Sequence, residues 1–139
     1  WIADVVAGVT GPTGTVAVTG LTYKPKTYIR TESQGMDLVE ALQSEFDVLC
    51  YDPMGQDEAR DRLNGRVSFV DSAVDAVAGA DTVVVACPWE EFLNETLYDN
   101  SGITLVDVWR DLDAEELDAD ISYVPLGRGA ITEMVSAER

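Results

Sequence analysis

Two rhythms of hydrophobic and polar residues alternate along the chain. Met36, Leu38, Val39, Leu42 and Phe46 recur every three or four positions with Asp37, Glu40, Gln43 and Glu45 between them, the spacing of a helix with one buried face, and Ser33 stands where an N-cap belongs. Ile2, Val5, Val6 and Val9 keep the same spacing and predict a first helix over 1–10, ended by Gly11-Pro12-Thr13-Gly14. The second rhythm is shorter. Val16-Ala17-Val18-Thr19 predicts a strand over 15–20, Asp47 to Tyr51 a second one stopped by Asp52-Pro53, and Val67 to Val70, Ile103 to Val108 and Ile121 to Val124 further short strands. Thr82-Val83-Val84-Val85-Ala86-Cys87 runs without alternation, as a strand covered on both faces does. Between the strands we expect a short polar helix over 56–63 and a helix of small residues over 71–78, capped by Asp71 or Ser72. Another helix is expected to open at Trp89-Glu90-Glu91-Phe92-Leu93, with a helical turn over 114–117. The residues after Leu126-Gly127-Arg128-Gly129 are expected to add a turn of helix or to fray.

Strand, loop and helix repeated this often specify right-handed βαβ crossovers. The fold class is therefore α/β: a three-layer Rossmann-like domain, with a mostly parallel sheet of five to six strands and helices on both faces. At 139 residues the chain is one domain, long enough to bury a core. Ligands of such sheets bind beyond the carboxyl ends of the strands. The loop after the first strand lies there.

Composition changes the picture in one respect. Nine Lys and Arg stand against 26 Asp and Glu, a formal net charge of −17, and the acids are spread through every segment rather than gathered in a tail. With two lysines and seven arginines, long flexible cationic surface chains are nearly absent. The expectation is a protein of a high-salt cytoplasm, where counterions screen self-repulsion. The same field argues against nucleic acid and anionic membrane as partners. No apolar run approaches the roughly 18 residues of a membrane span, and no signal-peptide pattern opens the chain, so it is expected to be soluble. A start at Trp1, inside an amphipathic pattern and without methionine, suggests a piece of something longer.

Candidate chemistry gathers in one loop. Both lysines, Lys24 and Lys26, and Arg30 fall within seven residues just after the first strand, the best candidate for holding an anion. Lysines supply point charge there and the arginine a planar donor fork, suited to phosphate or carboxylate. The bland alternative is that the three cations only balance nearby acids. Tyr23 and Tyr28 either stack on a base or cover the sheet end, and Arg110 and Arg128, each after a strand, are candidates for the same end. The G-x-G-x-x-G fingerprint of a dinucleotide site is missing, since Gly20 is followed by Leu21-Thr22-Tyr23. There is no Walker lysine motif, no histidine and no Cys/His spacing for a metal. Cys50 and Cys87, each within a hydrophobic run, read as free buried thiols.

At these residues the sequence becomes familiar. VAVTGLTYKP, a Glu-Ser pair before a helix, DVLCYDP, GADTVVVACPWEEF and LVDVWR, in that order from about Val16 to Arg128, resemble the carboxyl-terminal domain of the UDP-glucose/GDP-mannose dehydrogenase family. The resemblance implies a nucleotide-sugar-binding domain of an enzyme that oxidises a sugar alcohol to a uronic acid, for polysaccharide biosynthesis. Two successive hydride transfers to NAD do this, through a thiohemiacetal on a cysteine upstream of this domain. It implies that NAD is held mainly by an amino-terminal Rossmann domain, with a central helical region that mediates dimerisation. Residues 1–13 would be the end of that central helix and residues 14–139 the nucleotide-sugar-binding domain. The implied partners are the UDP-sugar, the amino-terminal and central domains of the same enzyme, and a second subunit.

Carried over by position, the family's aromatic-lysine pair falls on Tyr23 and Lys24, which would contact the nucleotide sugar. The family's arginine directed at NAD falls by count on Thr31, one residue after Arg30, and Arg30 is the expected NAD contact. The family's Asp-Gly-Arg after the fifth strand, whose arginine reaches a substrate in the neighbouring subunit, appears as Asp107-Val108-Trp109-Arg110. Trp109 takes the arginine's place and Arg110 is the expected substitute on the substrate. No residue of this chain is expected to be catalytic, and Cys87, at a strand end, corresponds to no catalytic thiol of the family. The alternative reading is a module that binds a nucleotide sugar, or serves assembly, without turnover.

Overall fold

The structure is a computed structural model that describes residues 2–11, 14–21, 34–53, 67–86, 89–99, 101–110 and 112–126. The helix expected over 56–63, the cationic loop and the last residues of the chain lie outside the described residues.

Among the described residues six strands form one parallel sheet: β1 (Thr15–Thr19), β2 (Asp47–Tyr51), β3 (Val67–Phe69), β4 (Thr82–Val85), β5 (Thr104–Asp107) and β6 (Ser122–Pro125). Their spatial order is β3-β2-β1-β4-β5-β6, the doubly wound arrangement in which winding reverses between β1 and β4. In register, Val16 lies beside Val48 and Thr82, and Val84 beside Val106. The expected α/β Rossmann-like fold is therefore present.

Side-chain alternation along the central strands separates two cores. Val16 and Val18 of β1, Val84 of β4 and Val106 of β5 face α1 (Ile2–Thr10) and α2 (Gln34–Leu42), which bury Ile2, Val6, Leu38, Val39 and Leu42 against them. Ala17, Val83, Val85 and Leu105 face the opposite way, toward Ala73, Ala76 and Val77 of α3 (Ala73–Gly79) and toward Phe92 and Tyr98. Both faces being covered is why the Thr82–Val85 stretch carries no polar alternation.

Local chemistry sets the element ends. Of the two candidate caps of α3 it is Ser72, in extended conformation, whose hydroxyl accepts the Asp75 N–H at 3.1 Å. After β4 the expected helix is two consecutive 3-10 turns, Glu90–Leu93 and Glu95–Tyr98. Asn94 divides them: its side chain accepts from the Thr96 N–H at 3.1 Å and starts the second turn before the first can lengthen. The Tyr98 hydroxyl, fully buried, donates to the Phe92 carbonyl at 2.6 Å and fastens the two turns together. The helical turn expected over 114–117 is a 3-10 turn, Ala114–Glu116.

Candidate functional site

The carboxyl ends of β1 and β4 face each other across the point where winding reverses, and the structure builds that edge from backbone outward. Gly20, with φ of +91°, turns the chain off the end of β1 while its N–H donates to the Tyr51 carbonyl at 2.8 Å. The next N–H, of buried Leu21, donates to Asp52 Oδ2 at 2.6 Å. Asp52 follows the last residue of β2 and is 3% exposed, so its carboxylate ties the start of the loop to the neighbouring strand. On the inner side, the Thr19 hydroxyl donates to the Val84 carbonyl at 2.8 Å and the Ala86 N–H to the Thr19 carbonyl at 3.0 Å.

The far side of the edge is organised by a second buried acid. Asp107 ends β5 and is fully buried. Its Oδ1 accepts the Arg110 N–H at 2.9 Å; its Oδ2 accepts the Leu112 N–H at 2.9 Å and the Tyr123 hydroxyl at 2.8 Å. The Tyr123 hydroxyl also lies 3.2 Å from the Leu112 carbonyl. Arg110 is the one non-glycine residue among the described residues with a positive φ, +60°. That left-handed conformation costs a side-chain-bearing residue about 1–2 kcal/mol and persists where the surroundings impose it. Trp109 completes the frame, its Nε1–H donating to the Ala86 carbonyl at 2.9 Å and its ring packing on the α1/α2 core.

Tyr51 closes the edge on the α3 side. Its ring meets Phe92 edge-on, with centroids 5.9 Å apart and planes at 81°. Burial, together with the Glu91 carboxylate that accepts its hydrogen bond and the nearby Asp52, pushes its hydroxyl above the ordinary tyrosine value. Tyr98 is likewise pushed up, by burial first and then by Asp107 and Glu95. The Cys50 thiol, buried within β2, is pushed up to about 12 by burial and is no nucleophile.

Of the residues singled out from sequence, Tyr23, Lys24, Lys26, Tyr28, Arg30, Thr31, Cys87 and Arg128 lie outside the described residues. Arg110 is described and exposed, in the loop from β5 at the carboxyl end of the sheet. Trp109 serves packing and a backbone hydrogen bond. Sequence reasoning finds Asp52 only as a strand stop and Asp107 only as the first residue of the family's Asp-Gly-Arg, and it passes over Tyr123. The signal was an acid directly after or at the end of an apolar strand, LCYDP and TLVDV, where emerging loops need acceptors for their N–H groups. A groove of about 500 Å³ lined by Ala7, Gly8, Gly11, Glu45 and Phe46 lies at the opposite, amino-terminal end of the sheet. Among the described residues no group of three or more His, Cys, Asp or Glu is arranged to hold a metal, and no helix is long and apolar enough to cross a membrane.

The comparisons with known proteins agree on one relationship. The model of the UDP binding domain of the UDP-glucose/GDP-mannose dehydrogenase family matches residues 17–114. UDP-glucose 6-dehydrogenase AglM of Haloferax volcanii is 41% identical over 78 residues, 55% of this chain and 18% of that protein. UDP-glucose 6-dehydrogenase YwqF of Bacillus subtilis is 27% identical over 139 residues, 91% of this chain and 30% of that protein. The chain thus spans less than a third of the length of these relatives. Among solved structures, a UDP-glucose dehydrogenase from Pyrobaculum islandicum superposes with a TM-score of 0.72 at 23% identity, over 90% of this chain and 28% of that one. The UDP-N-acetyl-mannosamine dehydrogenase Cap5O from Staphylococcus aureus does so with a TM-score of 0.67 at 22% identity, over 96% and 31%. At those identities the structures speak for the fold.

Proposed function

The chain belongs to the UDP-glucose/GDP-mannose dehydrogenase family through its UDP binding domain, and on that premise we propose that it binds the nucleotide sugar for an NAD-dependent UDP-sugar 6-dehydrogenase. The reaction in this reading is of the UDP-glucose to UDP-glucuronate type, with two hydride transfers to NAD, and its product is a uronic acid of the kind built into polysaccharides. The nucleophilic cysteine and most of the NAD contacts belong to other parts of the enzyme.

The first two residues after β1 carry this reading. A dinucleotide's pyrophosphate needs glycine-lined N–H groups directly after β1. Here one glycine is followed by buried Leu21, whose N–H donates to Asp52. The described residues that leave β1, Gly20 and Leu21, therefore do not fit the pyrophosphate of NAD: both of their N–H groups are already spent, on the Tyr51 carbonyl and on Asp52. In this reading Arg30 is this chain's contact with NAD. Lys24, in the same reading, neutralises the diphosphate, Tyr23 contacts the nucleotide sugar, and Arg110 reaches the substrate from the loop after β5. A charge such as that of Arg110, in the loop that leaves the end of β5, serves orientation as well as affinity.

The test joins the chain to its natural upstream sequence and measures NADH in molar KCl, with UDP-glucose, UDP-N-acetylmannosamine and GDP-mannose offered separately. Two NADH per sugar with one of them supports the four-electron dehydrogenase and names its substrate. Folded protein that binds a nucleotide sugar without producing NADH favours the module without turnover. In the active enzyme, Lys24→Ala is expected to raise the KM for the UDP-sugar at least tenfold more than that for NAD; equal losses on both would count against Lys24.

A further inference from the structure

We propose that Asp107 and Tyr123 are positioning residues for Arg110: they hold it in its left-handed conformation so that the guanidinium stands at the rim of the sheet facing an anionic ligand. The inference rests on the reading of this domain as one that binds a nucleotide diphosphate. It begins from the strain at Arg110, whose φ of +60° glycine would adopt at no cost. An arginine kept in such a place points to a use for its side chain.

What imposes the conformation is visible. Arg110 N–H is shared between the Asp107 carbonyl at 3.3 Å and Asp107 Oδ1 at 2.9 Å, and the Leu112 N–H is taken by Oδ2. One carboxylate thus anchors the chain on both sides of position 111. The carboxylate is itself oriented from the next strand, since the Tyr123 hydroxyl donates to Oδ2 at 2.8 Å and Tyr123 pairs in register with Leu105 on β5. Asp107 is fully buried, whereas Arg110 is exposed, so the acid spends its acceptors on backbone and Tyr123 while the guanidinium is left outward. Trp109, bonded to Ala86, keeps the same loop against the end of β4. In a chain of net charge −17, a cation presented in this way at the strand ends is suited to a diphosphate.

The experiment is a double-mutant cycle on UDP binding, measured by calorimetry with this chain in molar KCl for the parent, Tyr123→Phe, Arg110→Ala and the double variant. Tyr123→Phe is expected to weaken UDP about fivefold, the size of one lost hydrogen bond. In the Arg110→Ala background the same change is expected to have no effect, because the residue through which it acts is gone. Thermal unfolding of each variant reports folding, and Asp107→Asn run through the same cycle replaces Tyr123→Phe should that variant not fold. An equal loss in both backgrounds, or no loss in either, overturns the inference. UDP binding unchanged by Arg110→Ala overturns it as well while leaving the nucleotide reading intact. Folded parent chain that does not bind UDP overturns both.

Discussion

Leu21 and Asp52, 31 residues apart in sequence, are joined by a 2.6 Å hydrogen bond from the leucine N–H to the carboxylate Oδ2. Both residues are buried, and the bond sets the direction in which the chain leaves β1. Asp52→Ala would leave that N–H without its acceptor, which costs about 1–3 kcal/mol. Asp52→Asn keeps an oxygen acceptor of the same reach and is expected to cost less than half as much. Urea unfolding of the two variants in molar KCl checks this; alanine and asparagine variants equal to the parent would show that the bond contributes nothing.

Arg110 should be worse for stability than glycine. Replacing it with Gly removes a left-handed side-chain-bearing residue, φ +60°, and is expected to stabilise the fold by about 1 kcal/mol, whereas Arg110→Ala keeps the strain and gains nothing. Differential scanning calorimetry of the pair decides it. A glycine variant that melts at or below the alanine variant would mean the loop carries no strain at this position.

Cys50 makes stability fall at alkaline pH. Burial pushes its thiol from 9.0 up to about 12, so the folded state keeps a proton that the unfolded state loses. The stability is complete below pH 9 and declines between 9 and 12, by up to about 1.4 kcal/mol per pH unit from this group. Tyr51 and Tyr98, also pushed up, act in the same direction at higher pH. Cys50→Ala is expected to flatten the curve between pH 9 and 10, and the native thiol to resist iodoacetamide at pH 8. A folded chain alkylated at Cys50 as fast as a free thiol would contradict the burial argument.

Screening should stabilise the chain. With a net charge of −17 and acids on every segment, raising KCl from about 0.1 M to about 1 M shortens the Debye length from about 10 Å to about 3 Å and removes most of the surface repulsion. The thermal midpoint is expected to climb over that interval by several degrees. A midpoint independent of KCl would remove the case for adaptation to high salt.

How much of this was legible in the sequence depends on the distance over which each feature is decided. Helical spacing in α1 and α2, the strand blocks β1 to β6 and the unbroken run of β4 all follow from the identity of near neighbours, because a side chain's face is set by a period of 3.6 or of 2 residues. Asp47 to Tyr51 was even bounded correctly, since Asp52-Pro53 ends the strand chemically. Where two local preferences compete, as at Asn94 inside an otherwise helical stretch, the pattern alone chose a helix and the structure forms two 3-10 turns.

The site was legible only in its charges. Composition marked Lys24, Lys26, Arg30 and Arg110 as cations in an acidic chain, but nothing local says that Asp52 caps a loop leaving β1, that Asp107 holds Arg110 and Leu112, or that Tyr123 orients Asp107. Those bonds join residues from different strands, and they exist because the order β3-β2-β1-β4-β5-β6 lays β2 beside β1 and β6 beside β5. Near-neighbour pattern was enough for the strands, for α1 to α3 and for the faces they bury, though not for the two turns after β4. The tertiary structure decided which buried carboxylate meets which backbone N–H, because desolvated acceptors must be paired by whatever donors the sheet order brings within about 3 Å.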